Sequence, residues 1–114
     1  MKQLVNLSNG KILAKHVTEA YSFWWRLRGL MFTNTFPSGG ALHIKPCRSV
    51  HTFFMKYEID VLYLDGNFRI VGIDIAIPPG KIGKSYTNAK SVVELPAKKV
   101  LETETKIGHY IKKF

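Results

Sequence analysis

The chain of 114 residues is expected to form a single domain over residues 1–114, because a second hydrophobic core would need more chain. A hydrophobic fraction of 46% and a charged fraction of 22% are typical of globular proteins and exclude a disordered chain. Seventeen Lys and Arg residues against eight Asp and Glu residues give a net charge of +9, which favours anionic partners without predicting a fold.

A single cysteine, Cys47, excludes a disulfide within the chain and zinc sites that need several cysteines. No run of about 20 apolar residues is present to cross a bilayer. Asn6 and Ser8 interrupt the apolar N-terminal segment, so it does not have the pattern of a signal peptide. We therefore expect a cytoplasmic protein in a reducing compartment, without a membrane partner.

The first elements are predicted from turn residues and from a change of period. Asn9-Gly10 tolerates positive φ and predicts the turn of a β-hairpin over residues 3–17. Aromatic residues at three- and four-residue spacings then predict an amphipathic helix over residues 19–28, with Trp24 or Trp25 as its anchor in the core.

Short apolar strands separated by turns account for most of the remaining chain, and they are predicted at 41–45, 50–55, 59–64, 68–75 and 91–95. A turn of helix is predicted at 98–103 and an edge strand at 110–114. Residues 76–88, rich in Pro and Gly, form the longest irregular stretch, and such loops are often functional. The predicted fold is mainly β, an antiparallel β sandwich or barrel with one amphipathic helix in the N-terminal half.

Several short motifs follow one another in a fixed order, namely Arg28-Gly29-Leu30-Met31-Phe32, Gly40-Ala41-Leu42, Cys47 to Lys56, Ile59-Asp60-Val61, Leu64-Asp65, Glu94-Leu95-Pro96-Ala97 and Ile107-Gly108. In this order and spacing, residues 12–112 resemble the domain-of-unknown-function 192 family of small bacterial and archaeal proteins. The resemblance implies a compact, mainly β domain with no established biochemical activity. The chain departs from the family pattern at Lys98, where a glycine is common, and at His109, where an aspartate is common.

Five polar residues stand among apolar neighbours and are the candidate ligand-binding residues: Arg28, Ser49, His51, Lys56 and Asp60. Burying a carboxylate costs several kcal/mol unless it is paired, so Asp60 is expected to have Arg28 or Lys56 as its partner. One interpretation is a structural ion pair. The other is an anion site, in which Arg28 is a bidentate fork, Lys56 a point charge and His51 a donor that can change protonation.

The spacing of four possible metal ligands does not favour a metal site, and the motifs do not favour an enzyme. His43, Cys47, His51 and Met55 recur every four residues, which would align metal ligands on a helix. Pro46 and the β-branched neighbours favour extended chain, in which Cys47 and His51 lie roughly 13 Å apart, so no metal is expected. The alternative to a metal site is that the face with Cys47, His51 and Met55 belongs to the hydrophobic core and carries one neutral histidine. No catalytic motif or phosphate loop is present, so neither an enzyme nor a cofactor is favoured.

These patterns predict a small binding module whose polar pocket holds an anionic small molecule or an acidic peptide. Loop 76–88 would form its rim. One alternative is a purely structural or interaction protein. Another is single-stranded nucleic-acid binding by a basic aromatic face. The basic residues of this face would be Lys11, Lys15, Arg26, Lys45, Arg48 and Lys56, with Trp24, Tyr57 or Phe68 as stacking platforms. The Lys112-Lys113 pair is expected to be a solvated end of the chain.

Overall fold

The computed structural model describes residues 2–21 and 33–114, and this part of the chain forms two β-sheets with one short helix. The elements in chain order are β1 (Leu4–Asn6), β2 (Ile12–Ala14), β3 (His16–Ala20), β4 (Gly40–Ile44), β5 (Ile59–Leu64), β6 (Ile70–Ile77), β7 (Ser91–Pro96), α1 (Lys99–Glu102) and β8 (Ile111–Lys113). The strand orders are β2-β1-β8 and β3-β4-β7-β5-β6, so the fold is mainly β, as predicted.

The first hairpin is present but is shorter than predicted. β1 and β2 pair antiparallel with Leu4 opposite Ala14, and Gly10 in the turn has a φ of 77°. The hairpin ends at Ala14, because Val17 belongs to β3 and pairs with Ala41 in the other sheet. β8 adds to the free edge of β1 and completes the three-stranded sheet.

The five-stranded sheet is mixed, so the prediction of an antiparallel sandwich or barrel is wrong for one pair of strands. β3 runs parallel to β4, whereas the pairs β4–β7, β7–β5 and β5–β6 are antiparallel. A parallel pair needs a long crossover connection, and the chain between Ala20 and Gly40 is long enough to supply one.

The predicted N-terminal helix does not begin at Glu19. Glu19 and Ala20 are the last residues of β3, where pairing with the buried strand β4 continues the extended backbone. The remainder of the predicted helix, with Trp24, Trp25 and Arg28, lies outside the described residues. The helix within them is α1, near the C-terminus, where a turn of helix was predicted.

A hydrophobic cluster packs against each face of the five-stranded sheet. On one face, Leu62 and Leu95 meet side chains of the three-stranded sheet and of α1, namely Leu4, Leu13, Ile111 and Val100. On the other face, Val61 and Tyr63 meet the segment after β4, namely Val50, Met55, Cys47 and Tyr57. Both faces of the central strand β5 are therefore covered, and all six of its residues are buried.

The prediction of a strand at 50–55 is wrong. Within this segment His51 makes only an isolated bridge to Ile82, and Phe54 has a φ of 63°, which interrupts an extended backbone. The buried Thr52 instead bonds to the loop after β6, since its N–H donates to the Lys81 carbonyl at 2.8 Å and its hydroxyl donates to the Pro78 carbonyl at 2.6 Å. Alternate side chains of residues 47–55 therefore do not lie on one face of a strand.

Candidate functional site

Asp60 is completely buried on the face of β5 that packs against α1. Its Oδ1 accepts a hydrogen bond from the Ala76 N–H and its Oδ2 accepts one from the Val100 N–H, both at 2.9 Å. Val100 lies in the first turn of α1, where backbone N–H groups have no partner within the helix. The Asp60 carboxylate therefore joins β5, the end of β6 and α1 through backbone amides. Of its two predicted partners, Lys56 donates to Asn34 instead, and Arg28 lies outside the described residues.

Ser49 and His51 lie across the sheet from Asp60 and contact the loop after β6. The Ser49 hydroxyl donates to the Gly83 carbonyl at 3.3 Å. The His51 ring stacks on Phe53 with 5.2 Å between centroids, and its Nδ1 accepts a hydrogen bond from the Phe53 N–H. Val50, between them, packs into the second cluster, so these two polar residues sit at the border of core and loop.

Lys56 is exposed, and its Nζ donates to Asn34 Oδ1 at 2.9 Å. Arg28 lies outside the described residues. Of the four predicted ligand-binding residues that the structure describes, Ser49 and His51 share one loop, Lys56 contacts the 33–39 loop and Asp60 faces the opposite core. The pocket predicted from these five residues stays a prediction.

The polar cluster that the sequence analysis missed centres on Lys113 in β8. Its ammonium donates to Glu19 Oε2 at 2.8 Å, to the Tyr21 hydroxyl and to His43 Nδ1 at 3.2 Å. The same nitrogen lies 5.6 Å from the centroid of the Phe68 ring. The side chain is 13% exposed, so the prediction of Lys112-Lys113 as a solvated end is wrong for Lys113. These five residues are called the Lys113 cluster below.

The Lys113 cluster has one dominant protonation state near neutral pH. The hydrogen bond from Lys113 holds the pKa of the Glu19 carboxyl at about 2, and burial lowers the pKa of His43 to about 4, with a further contribution from the Lys113 charge. Burial raises the pKa of Tyr21 above its usual value. Glu19 is therefore ionised, His43 is neutral and Tyr21 keeps its proton.

This state leaves one buried donor of His43 without a partner. The Tyr21 hydroxyl accepts a hydrogen bond from the Lys113 ammonium and lies 2.7 Å from His43 Nδ1, so Tyr21 is the main donor to Nδ1 and the ring proton lies on Nε2. Among the described residues, Nε2 has no hydrogen-bond partner, although the Phe68 ring packs edge-on to the imidazole at 5.4 Å. The Lys113 ammonium donates to the Glu19 carboxylate and to the Tyr21 hydroxyl, so Lys113 organises its surroundings.

A groove of about 450 Å³ opens beside the Lys113 cluster, between β8 and the turn that precedes β6. Its volume lies within the range of small-molecule sites. Apolar and aromatic side chains line it together with lysines, chiefly Lys2, Leu7, Phe68, Tyr110, Lys112 and Lys113. Leu7 is 52% exposed and Tyr110 is 46% exposed, so the apolar lining is open to solvent. This cavity is called the β8 groove below.

The charge of the β8 groove is positive. Glu19 compensates Lys113, whereas Lys2 and Lys112 add two further ammonium groups to the lining. The Lys2 charge also lowers the pKa of Glu19, which places Lys2 on the same side of the molecule as the Lys113 cluster. The Lys112 ammonium lies 5.1 Å from the Phe114 ring centroid. Such a lining suits a ligand with a flat apolar body and a negative charge.

The two departures from the family pattern both have a local explanation. Lys98, where a glycine is common, precedes α1 with a φ of 78°, in the left-handed region that glycine adopts without steric cost. His109, where an aspartate is common, accepts hydrogen bonds at Nδ1 from the Asn6 side chain at 3.0 Å and from the Lys106 N–H at 3.2 Å. A carboxylate oxygen could accept the same two bonds.

Within residues 2–21 and 33–114, no group of three or more His, Cys, Asp or Glu side chains is arranged to hold a metal ion. His43 belongs to the Lys113 cluster, while Cys47 packs into the cluster on the other face of the sheet. No helix in this part of the chain has the length and apolar character needed to cross a membrane.

Comparison with known proteins gives relatives that match nearly the whole of this chain, and a solved structure with a shared fold. A UPF0127 protein of Pyrococcus horikoshii is 33% identical over 97% of this chain and 98% of its own length. A UPF0127 protein of Thermococcus sibiricus is 31% identical over 95% of this chain and 72% of its own length. The crystal structure of a protein of unknown function from Novosphingobium aromaticivorans has a TM-score of 0.83 and 13% identity, covering 97% of this chain and 82% of that one. Its likeness shows the fold alone.

The family model called DUF192 and described as "Uncharacterized ACR" matches residues 4–113, which is nearly the whole chain. The match agrees with the resemblance seen in the motifs. The chain therefore belongs to the DUF192 family, whose function is uncharacterised.

Proposed function

We propose that this chain is a small binding module that holds an anionic small molecule with a flat ring in the β8 groove. The observation that carries the proposal is the convergence of Phe68, Tyr110, Lys2 and Lys112 on one open cavity of ligand size. In this arrangement the ligand ring stacks on Tyr110 and Phe68, and its acidic group approaches Lys2 and Lys112. The Lys113 cluster supports the groove from behind, because it fixes Phe68 and β8 by cation–π and ion-pair contacts.

The expected affinity is modest. Stacking of a ring on an aromatic side chain contributes about 1–3 kcal/mol. Two exposed ammonium groups add about 1 kcal/mol each at low salt. The sum of about 3–5 kcal/mol corresponds to a Kd from the millimolar range to a few hundred micromolar.

A short anionic ligand is favoured over a nucleic-acid strand, because several residues of the predicted basic aromatic face have partners within the chain. Lys11 is paired with Glu104 at 2.8 Å, and Lys56 donates to Asn34. The Tyr57 hydroxyl is hydrogen-bonded to Thr33 and the residue is half-buried, so its ring is a poor stacking platform. Of the predicted platforms, Phe68 lines the β8 groove.

Titration with adenosine monophosphate, adenosine and inorganic phosphate, followed by NMR shifts of assigned amides, tests the proposal. We expect the monophosphate to bind about tenfold more tightly than either part, with the largest shifts at Phe68 and Tyr110. Lys112→Gln and Tyr110→Ala should each weaken binding about three- to tenfold. Lys106→Gln is the matched control, because its side chain is exposed and does not line the groove.

Two results would overturn the proposal. One is that the monophosphate shifts residues away from the groove, or that the control variant weakens binding as much as Lys112→Gln. The other is that a six-nucleotide oligothymidylate binds far more tightly than the monophosphate and loses affinity steeply with salt, which is typical of nucleic-acid binding.

A further inference from the structure

The outer edge of β6 has no strand partner in the described part of the chain. Among the described strands, β6 is the last in its sheet and pairs only with β5. At its start, Ile70 exchanges backbone hydrogen bonds with Gly108 and His109. Beyond this point, among the described residues, no backbone group of residues 71–75 has a hydrogen bond on the outer side. Such an edge presents free N–H and C=O groups to which an extended chain can pair.

β6 lacks two devices that usually protect an edge strand. Ile70–Ile77 contains neither lysine nor proline. Its one charged side chain, Asp74, is held by the hydroxyl of Tyr63 at 2.7 Å and by that of Tyr86 at 3.3 Å. The irregularities in its pairing with β5 lie toward its two ends, so the register is regular from Gly72 to Asp74. Residues 72–74 therefore form a regular stretch of edge without lysine or proline.

A groove of about 480 Å³ runs along this edge and is bounded by residues 73–78 and 82–84. Ile75 is 49% exposed and Ile82 is 73% exposed, so each presents an apolar side chain to solvent beside the strand. The loop that carries Ile82 is held in place, because the Gly83 N–H donates to the Val50 carbonyl at 2.8 Å. Thr52 binds the same loop through the Lys81 backbone. The groove is thus built on ordered backbone.

The charge beside the groove favours an acidic occupant. Lys81 and Lys84 are exposed on the same loop, and neither takes part in an ion pair with the described residues. A second copy of this chain would bring like charges together, since the net charge is +9. An acidic segment would meet complementary charge instead.

We propose that the edge of β6 binds an extended acidic peptide segment of another protein as an additional strand. The peptide backbone pairs with residues 71–75, a length of about 17 Å that accommodates five or six residues. Its apolar side chains contact Ile75 and Ile82, and its carboxylates approach Lys81 and Lys84. This site is separate from the β8 groove, so the two proposals stand independently.

Fluorescence polarisation with a labelled hexapeptide of alternating Glu and Val tests the proposal. We expect it to bind at least tenfold more tightly than the hexapeptide of alternating Lys and Val. In an added strand, every second peptide N–H points toward β6 and the others point away from it. N-methylation of the N–H groups that point toward β6 should abolish binding, whereas N-methylation of the others should leave the affinity within threefold. Side-chain contacts alone would not distinguish the two methylated peptides.

Three variants locate the site. The double substitution Lys81→Glu and Lys84→Glu should weaken binding of the Glu-Val peptide at least tenfold, and Ile75→Lys should do the same by placing a charge on the edge. The double substitution Lys15→Glu and Lys45→Glu makes the same change in net charge at exposed positions beside β3 and β4, at the opposite end of the sheet from β6, and should leave binding within threefold. Circular dichroism and the melting temperature show whether each variant is folded.

The proposal is overturned if both methylated peptides bind like the parent, or if the two charge-reversal variants weaken binding equally. It is also overturned if the peptide does not bind while sedimentation shows a dimer that Ile75→Lys dissociates, because the occupant would then be a second copy. Lys112→Gln should leave peptide binding unchanged, so a failure of the β8 groove leaves this test intact.

Discussion

Replacing Glu94 by glutamine is expected to remove most of the alkaline sensitivity of the fold. Glu94 lies in β7 between Leu42 of β4 and Val61 of β5, and it is 3% exposed. Its Oε1 has no hydrogen-bond partner among the described residues. Burial raises the pKa of this carboxyl to about 8, so the native state holds its proton near neutral pH.

The magnitude follows from the difference between the native pKa of about 8 and the ordinary value of 4.5. Below the ordinary value, the carboxyl is protonated in both folded and unfolded chains and costs no stability through ionisation. As pH rises, the unfolded chain releases the proton first, so stability falls until the pH passes the native pKa. The 3.5 pH units between the two values correspond to about 5 kcal/mol. This is a large share of the roughly 5–15 kcal/mol that stabilises a small domain.

Urea unfolding of the parent chain and of Glu94→Gln near pH 5, 7 and 9 tests this prediction. Glutamine has no titrating group, but its buried amide donors would cost about 1–3 kcal/mol if they found no acceptor. We therefore expect the parent to be the more stable protein near pH 5, and the variant to be more stable near pH 9 by about 2–4 kcal/mol. Glu94→Met, an apolar residue of similar length, is the control without amide donors and should show the same loss of pH dependence.

Curves of unfolding free energy against pH that run parallel for the parent and for Glu94→Gln would refute this prediction. If the parent and Glu94→Gln lose the same stability between the lowest and the highest pH, the proton responsible resides on another group. An NMR titration of the Glu94 carboxyl carbon gives the same answer directly, since a midpoint near the ordinary value would contradict a protonated native state.

The remaining predictions concern the backbone of α1 and the Lys113 cluster. Lys98→Gly should stabilise the fold by about 0.5–1 kcal/mol in urea unfolding, whereas Lys98→Ala should not, because the gain comes from relieving a φ of 78°. Asp60→Asn should destabilise by about 2–4 kcal/mol, since an amide group would turn an NH₂ toward the Val100 or the Ala76 N–H; unchanged stability would contradict this role. Lys113→Gln should return the Glu19 pKa from about 2 toward 4.5 in an NMR titration, and a carboxyl that still titrates near 2 would exclude Lys113 as the cause.

Local chemistry in the sequence accounts for the elements that were predicted correctly. Asn9-Gly10 indicates the first turn, and Asp65 hydrogen-bonds the Asn67 N–H in the turn between β5 and β6, as turn-forming residues do. The apolar run at Ile59–Leu64 predicts a strand covered on both faces, and that strand is the centre of the sheet. These features depend on residues a few positions apart, so a single sequence is enough to predict them.

The predictions that were wrong depend on partners far along the chain. Glu19 stays in a strand because β4 offers a parallel neighbour. Residues 50–55 leave the extended conformation because Thr52 satisfies its hydrogen bonds on the loop around Lys81. Neither partner is visible in the local pattern, since the competing conformations have similar local propensity and long-range hydrogen bonding decides between them.

The sequence by itself determined the mainly β composition, the basic charge and the family motifs, because these follow from residue types and short spacings. Only the tertiary structure brought Lys113 from the last strand to Glu19, Tyr21 and His43, and only it left the edge of β6 without a strand partner in the described part of the chain. The physical reason is that burial and polar pairing act between neighbours in space. A charged side chain is placed by whichever distant groups satisfy it, and a strand edge is free or covered according to how the whole sheet closes.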